Sequence, residues 1–296
     1  MKKKESFATG VSFMLLSAAG LSLTGLFGKL GQDLFYLAPL IFWRYFSAAI
    51  LCALLLLFMG ELHHVFKKKN FKLHLLRAFF VLSAQYSFYY YLQRDNLLNA
   101  TVLLNLGPLF IPIIEWGILK KKVGRSSWIG VVVSLIGAVL ILQPDKGIFS
   151  LTSCIGLFSG ISQGASQVVF GINSKEEKAD QGILILFILC ALFSSIPYLA
   201  EGVTWATTPN WTWAAILIGC LAVASMGSQI FRAFAYSHAT PSRLASFFYL
   251  SVILAGFWDW AVFNHTPNLL SLVGALLVIL GGILKIWLHQ LKHSKK

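Results

Sequence analysis

The chain contains too few charged residues for a water-soluble protein. Charged side chains make up 12% of its 296 residues, about half of the roughly 25% found in soluble domains. Hydrophobic residues make up 57%, above the usual range of about 45–50%. A soluble globule of this size could not cover its surface with so few charges. The composition therefore excludes a soluble globular domain, and it equally excludes a disordered or collagen-like chain.

Cysteine is scarce, and the common catalytic motifs are missing. The four cysteines, Cys52, Cys154, Cys190 and Cys220, lie in apolar runs and show neither zinc-ligand spacing nor a disulfide framework. We predict that they pack as small apolar side chains, and we expect no metal and no cofactor. The sequence also lacks a Walker phosphate loop, a Gly-x-Ser-x-Gly elbow and a His-Glu-x-x-His motif. These absences argue against an ATP-driven pump or a hydrolase, so we predict that the chain is not an enzyme.

Acidic residues are few beside basic ones, and the basic residues are clustered. Lys and Arg number 24 against 11 Asp and Glu, for a formal net charge of +13. The basic clusters lie between apolar runs, where they would face anionic lipid headgroups. We therefore interpret the charge excess as a membrane signal and expect no nucleic-acid partner.

Long apolar runs dominate the rest of the chain. A helix that crosses a bilayer needs about 20 mostly apolar residues. Ten runs are of this kind: residues 8–28, 34–59, 73–92, 97–119, 126–142, 148–171, 182–200, 212–236, 243–263 and 268–288. The runs do not alternate as barrel strands do. The sequence therefore predicts an all-α polytopic membrane protein with ten transmembrane helices, surrounded by the lipid bilayer.

The distribution of Lys and Arg between alternate loops predicts the orientation. Sixteen of them fall on one side of the ten-helix arrangement, and two, Arg94 and Lys146, fall on the other. Cytoplasmic loops carry the excess of Lys and Arg. We expect a multi-pass protein of the cell membrane, a bacterial inner membrane, with both termini in the cytoplasm.

The fifth and tenth runs share a pattern of small residues. The matches are Ser127 with Ser271, Gly130 with Gly274, and Gly137 with Gly281, each 144 residues apart. Glycines seven residues apart lie on one helix face, where they let a neighbouring backbone approach. Five helices per half would give the two halves opposite orientations. The pattern therefore predicts two inverted five-helix repeats, residues 1–145 and 146–296.

The sequence resembles the drug/metabolite transporter superfamily, specifically its ten-span EamA-type members. The resemblance rests on Phe-Trp-Arg-Tyr at residues 42–45, on Leu-Gly-Pro-Leu at residues 106–109 and on the paired glycines. It implies a secondary transporter that moves a small organic metabolite, such as an amino acid or an S-adenosyl compound, by alternating access. It also implies a central cavity lined by runs one, three, four, six, eight and nine, with runs five and ten at the periphery.

Polar residues inside the apolar runs are the candidate solute contacts. A charged side chain at the bilayer centre costs about 2.5–3.5 kcal/mol on insertion scales, so Arg44 should face protein or a cavity. Arg44 could bind a substrate anion, or it could hold helices together through a salt bridge or a carbonyl. The remaining predicted contacts are Gln85, Tyr89, Asn105, Gln163, Gln167, Ser228, Gln229 and Tyr249. The eighth run, residues 212–236, carries four polar residues with the spacing of one helix face, which we call the polar stripe: Ser225, Ser228, Gln229 and Arg232.

Four residues are candidates for coupling or gating. Pro108 and Pro112 remove backbone donors from the fourth run, so we predict a kink near mid-membrane. Glu115 and Asp259 are the acids well inside the runs. Each could carry a coupling proton, or could pair with a nearby Lys or Arg at the headgroup level.

Two other functions remain open from the sequence. A membrane-embedded enzyme acting on a lipid-linked substrate would need clustered His, Asp or Glu, and a channel would conduct without saturation. Monomer and dimer are both compatible with the sequence.

Overall fold

The computed structural model describes residues 7–60, 62, 71–120, 125–142, 151–173, 179–201, 210–238, 244, 247 and 249–293. Within these residues the chain is helical and contains no β-strand. The helices are α1 Phe7–Gly31, α2 Leu37–Phe58, α3 Phe71–Leu92, α4 Leu97–Leu104, α5 Gly107–Leu119, α6 Arg125–Leu142, α7 Leu151–Asn173, α8 Ala179–Glu201, α9 Trp211–His238, α10 Leu250–Ala261 and α11 Leu269–His293.

Several helices are long and apolar enough to cross a bilayer. By length and composition, four segments qualify among the described residues: Phe7–Gly31, Leu37–Phe58, Gly182–Ala200 and Trp211–Ala235. A helix satisfies its backbone hydrogen bonds internally, which hydrocarbon requires. Large apolar side chains also point outward, among them Phe58 at 87% and Leu199 at 72% exposure. The chain is therefore a polytopic helical membrane protein.

The fourth predicted run is not one helix but two. The sequence predicts a single span over residues 97–119, whereas α4 ends at Leu104 and α5 begins at Gly107. Pro108 has no N–H to donate to the carbonyl of Leu104, so the helical hydrogen-bond ladder cannot continue through this point. The Asn105 N–H still bonds the Thr101 carbonyl at 3.0 Å, and a new turn starts with Leu109 N–H donating to Leu106 at 2.8 Å. The predicted kink thus corresponds to a break between two helices, which lies just before Pro108.

The helices pack in pairs from opposite halves of the chain. Such pairs include α1 with α9, α3 with α7, α2 with α8, α4 with α10, and α6 with α11. Glycine makes the α6–α11 approach close: a Cβ on Gly137 would lie 2.6 Å from the Gly274 carbonyl oxygen. Serine side chains join α1 to α9, because Ser17 Oγ donates to the Ser228 carbonyl at 2.8 Å and Ser228 Oγ donates to the Ser17 carbonyl at 2.9 Å.

The cysteines are free thiols in different environments. Cys52 and Cys190 are buried, as expected of small apolar side chains, and Cys220 is half-buried. Cys154 is exposed on α7, so its expected burial in the protein is not observed.

Candidate functional site

A small polar cavity lies in the middle of the bundle, among α1, α2, α3, α7, α8 and α9. Its polar and charged lining is Thr24, Arg44, Tyr45, Arg77, Gln85, Gln163, Ser166, Gln167, Ser225, Ser228, Gln229 and Arg232. The cavity volume is about 40 Å³. A single water needs roughly 10–15 Å³ by this measure, so the cavity has room for a few waters. An organic solute would require the surrounding helices to move apart.

Helical periodicity explains which side chains reach the cavity. On α3, Arg77, Val81 and Gln85 follow one another at intervals of four residues and share one face. The predicted polar stripe of α9 also faces the cavity with all its members: Ser225, Ser228, Gln229 and Arg232. The lining from α7 is Gln163, Ser166 and Gln167. The helices α3, α7 and α9 thus each present polar side chains to the cavity, whereas α8 contributes the apolar Leu186 and Phe187.

Arg44 joins three helices through neutral partners. Its Nε donates to Ser225 Oγ at 3.0 Å, and its Nη1 donates to Tyr89 Oη at 3.1 Å and to Gln85 Oε1. The side chain is buried, at 6% exposure, and its guanidinium lies 5.1 Å from the Tyr45 ring centroid. The described contacts include no carboxylate, so the salt-bridge alternative for Arg44 has no partner among them. Arg44 holds α2 against α3 and α9, and its positive charge faces the cavity uncompensated by those contacts.

Arg77 and Arg232 line the same cavity from α3 and α9. Both are buried, at 5% and 6% exposure. The Arg77 guanidinium lies over the Phe170 ring, 4.1 Å from its centroid, and its Nη1 is buried without a hydrogen-bond partner among the described residues. The two arginines also line a second, smaller cavity of about 10 Å³ together with Gln167 and Gln229, so they lie next to each other.

Six of the nine predicted contact residues line the cavity: Arg44, Gln85, Gln163, Gln167, Ser228 and Gln229. Tyr89 lies behind them, fully buried, where its hydroxyl accepts from Arg44 and donates to the Thr24 carbonyl at 3.4 Å. It positions Arg44 in this conformation.

Asn105 and Tyr249 do not line the cavity. Asn105 Nδ2 donates to the Thr101 carbonyl at 2.8 Å and to Ser251 Oγ at 3.4 Å, which ties α4 to α10. The Tyr249 hydroxyl is buried with no hydrogen-bond partner among the described residues. Their contact with a solute stays a prediction. The lining also differs from that implied by the resemblance, since runs two and seven contribute and runs four and nine do not.

Runs four and nine instead meet at one end of the bundle, around Asp259. This carboxylate has no exposed surface and accepts from Lys29 Nζ at 3.1 Å, from the Leu97 N–H at 3.0 Å and from the Leu98 N–H at 2.6 Å. Two otherwise free N–H groups at the start of α4 are thereby satisfied, with the negative charge at the positive end of the helix dipole. Asp259 thus joins α10 to α1 and α4.

The other candidate gating residues lie on α5. The side chains of Pro108, Pro112 and Glu115 lie outside the described part of the structure. Two features were missed from the sequence alone: Arg77 as a cavity residue, and Lys29 as the partner of Asp259. The spacing of Arg77 eight residues before Gln85 is a signal that could have identified the first. The second joins residues 230 positions apart and had no local signal.

Comparison with known proteins assigns the class of this molecule. Residues 8–143 match the EamA-like transporter family. An uncharacterized transporter of Helicobacter pylori is 24% identical over 97% of both chains. The S-adenosylmethionine uptake transporter of Rickettsia bellii is 23% identical over 99% of this chain and 98% of its own. The pseudopaline exporter CntI of Pseudomonas aeruginosa is 23% identical over 81% of this chain and 83% of its own.

The fold is shared with a protein of known structure. One crystal structure superposes with a TM-score of 0.62 at 12% identity, covering 97% of this chain and 99% of the other. At that identity the likeness concerns the fold alone. The three relatives described above are each named as a transporter or an exporter. The resemblance seen in the sequence is confirmed: residues 8–143 match the EamA-like transporter family, and the names of the family and of these relatives point to a small-molecule transporter and not to an enzyme.

Proposed function

We propose that the protein is a secondary transporter that moves a small organic metabolite, of the size of an amino acid or an S-adenosyl compound, across the cytoplasmic membrane by alternating access. The observation that carries the proposal is the buried polar cavity around Arg44 in a protein whose outer surface is apolar. A membrane protein gains nothing from burying so many polar groups unless they serve a solute or a structural pairing. The cavity is the proposed solute site.

The small volume of the cavity supports a site that opens and closes. About 40 Å³ cannot hold an amino acid, so a solute enters only in another conformation. Arg44 links α2 to both α3 and α9, and α9 is joined to α1 by the reciprocal serine bonds. A solute anion that competes with Gln85 and Ser225 for Arg44 would loosen these contacts. Solute binding and helix movement would then be coupled.

The packing of the helices supports the two inverted repeats, residues 1–145 and 146–296. In this division α4 and α5 together form the fourth span, and the spans of the second half are α7, α8, α9, α10 and α11. Exchanging equivalent spans converts the α1–α9 pair into the α7–α3 pair, and it leaves α2–α8, α4–α10 and α6–α11 unchanged. The two pairs that the exchange relates, α1–α9 and α3–α7, are thus both in contact in the structure. A pseudo-two-fold axis through the cavity would account for this pattern.

The proposed orientation places both termini in the cytoplasm of a bacterium, with the protein in the inner membrane. The charge distribution of the loops supports it. In that orientation α1 runs outward, so the Lys29–Asp259 contact lies at the external end of the bundle and Arg77 and Arg232 lie nearer the cytoplasm. The structure would then represent a state closed to the outside.

Transport into proteoliposomes tests the proposal. Purified protein is reconstituted, and uptake of labelled solutes is measured with and without the same solute preloaded inside. A carrier saturates and is accelerated by preloaded solute through exchange, whereas a channel, the second candidate, does neither. Arg44→Gln should reduce uptake at least tenfold, because a hydrogen bond to a charged group contributes about 1.5–3 kcal/mol. Arg94→Gln removes the same charge from an exposed position and should leave uptake unchanged.

A further inference from the structure

We propose that the transported solute is an organic dianion, a molecule with two carboxylate or phosphate groups, one bound by Arg44 and the other by Arg77. The inference rests on the proposed function and names the substrate class of the same cavity. The inference predicts that a monoanion, a zwitterion or a cation binds more weakly than a dianion.

Arg77 is the first observation. Its side chain is 95% removed from the surface and lines the cavity, yet its Nη1 has no hydrogen-bond partner among the described residues. Buried polar groups normally have a partner, and a buried charge without one is costly. Stacking on Phe170 stabilises the face of the guanidinium but leaves Nη1 without a hydrogen-bond partner among the described residues. A ligand carboxylate or phosphate matches those donors and the charge.

The separation of the two arginines along the bundle is the second observation. Arg44 bonds Gln85 on α3, and Arg77 lies eight residues from Gln85 on the same helix. At 1.5 Å rise per residue, the Cα atoms of Arg77 and Gln85 are about 12 Å apart along the axis. Arg77 and Gln85, the partner of Arg44, therefore lie at different levels of α3, and both line the cavity. Two anionic groups joined by a short carbon chain suit this arrangement better than one compact anion.

The sign of the charge in the cavity is the third observation. Its lining includes three arginines, and no Asp or Glu occurs among the lining side chains that the structure describes. Glutamine and serine supply the remaining polar groups, and these are neutral. A cationic centre in a solute would meet the guanidinium charges without a compensating carboxylate. The cavity thus selects for negative charge by its electrostatics as well as by its donors.

A matched solute series tests the proposal on the full chain in lipid nanodiscs. Succinate has two charges, succinamate has one, and succinamide has none, at nearly constant shape. 1,3-Propanediol bisphosphate, which carries two phosphate groups on a short carbon chain, tests the phosphate alternative, and S-adenosylmethionine and leucine test a cationic and a zwitterionic solute. Binding is measured in the nanodiscs by the rise in the thermal unfolding temperature. Transport of the same solutes is measured by uptake into proteoliposomes. We expect a dianion to bind at least about tenfold more tightly than its monoanionic analogue.

Two variants then assign the second charge. Arg77→Gln should abolish the preference of the dianion over the monoanion while reducing monoanion binding less than threefold. Arg77→Lys retains the charge, so it should retain the preference, and it serves where the glutamine variant does not fold. Arg94→Gln should behave as the parent. Binding of succinate without binding of 1,3-propanediol bisphosphate, or the reverse, identifies which anionic group is recognised.

The possible results separate this inference from the proposed function. Arg44-dependent uptake of S-adenosylmethionine or leucine, with no binding of dianions, would overturn the dianion and leave the carrier intact. Equal binding of succinate and succinamate would also overturn it. If no solute of any class binds or is transported in a saturable way, both the inference and the proposed function are wrong.

Discussion

The contact between Lys29 and Asp259 should determine how firmly one end of the bundle is closed. We consider Asp259→Asn, which preserves shape but removes the charge that faces Lys29 and the first N–H groups of α4. Removing one partner of a buried ion pair costs about 3–5 kcal/mol. Because Lys29 retains 19% exposure, water compensates part of this loss, and we take about 3 kcal/mol. If the contact exists only in the closed state, the open state gains roughly a hundredfold in relative population.

Thiol accessibility measures this shift. In a chain whose four native cysteines are replaced by alanine, Thr24→Cys places a thiol in the cavity wall. The Thr24 hydroxyl bonds only within α1, to the Gly20 carbonyl at 2.8 Å, so this change leaves the Lys29–Asp259 contact intact. A membrane-impermeant thiol reagent is added to the side that the loop charges place outside the cell. Asp259→Asn and Lys29→Gln should each increase the labelling rate by at least tenfold.

Asp95→Asn is the matched control for this experiment. Asp95 lies beside α4, but its described bonds reach only Tyr91, Asn96 and Asn99, within four residues. Its substitution should therefore leave the labelling rate within a factor of two of the parent. Unchanged labelling in both Asp259→Asn and Lys29→Gln would refute the reasoning, because the contact would then not hold this end closed. Faster labelling in Asp95→Asn as well would show a general loosening instead.

Three further predictions concern other parts of the molecule. Tyr89→Phe removes a bond to Arg44 and should reduce uptake severalfold; unchanged uptake would contradict the role of Tyr89 in positioning Arg44. Tyr249→Phe removes a buried hydroxyl with no described partner, so thermal stability should be unchanged or improved, and a loss of stability would contradict this. Gly137→Ala places a Cβ 2.6 Å from the Gly274 oxygen and should destabilise the protein by about 1–3 kcal/mol in thermal unfolding, while Gly219→Ala, which meets nothing within 4 Å, should not. A fluorescent protein fused after Lys296 should be fluorescent and alkaline phosphatase at the same point inactive, and the opposite pattern would place the C-terminus outside.

The sequence allowed the helices and one polar face to be predicted because both depend on local spacing. Long apolar runs that do not alternate indicate helices in a membrane whatever their partners, since hydrocarbon allows the backbone to form only helices or closed barrels. The stripe from Ser225 to Arg232 follows from 3.6 residues per turn, and all four of its members line the cavity. Pro108 indicates a disturbance of the helix between α4 and α5, because it has no backbone N–H to donate.

What could not be predicted depends on how the helices are rotated against one another. Asn105 and Gln85 are both polar residues inside apolar runs, yet Asn105 faces α10 and Gln85 faces Arg44. Asp259 bonds the start of α4, and Asn105 at its end bonds Ser251, so both ends of α4 are held against α10. No periodicity within α4 contains this information, because it comes from a carboxylate about 160 residues away.

The arginines show the same limit from the opposite direction. Arg44 could be identified from the sequence because a charge in the middle of an apolar run requires an explanation. Its partners could not be identified, because they belong to other helices, α3 and α9. Those partners are neutral, and this changes the meaning of the residue. An arginine held by a carboxylate would be a structural strut of zero net charge. An arginine held by Ser225, Gln85 and Tyr89 is fixed in position and keeps its charge, which is the condition a binding site for an anion must satisfy before the anion arrives.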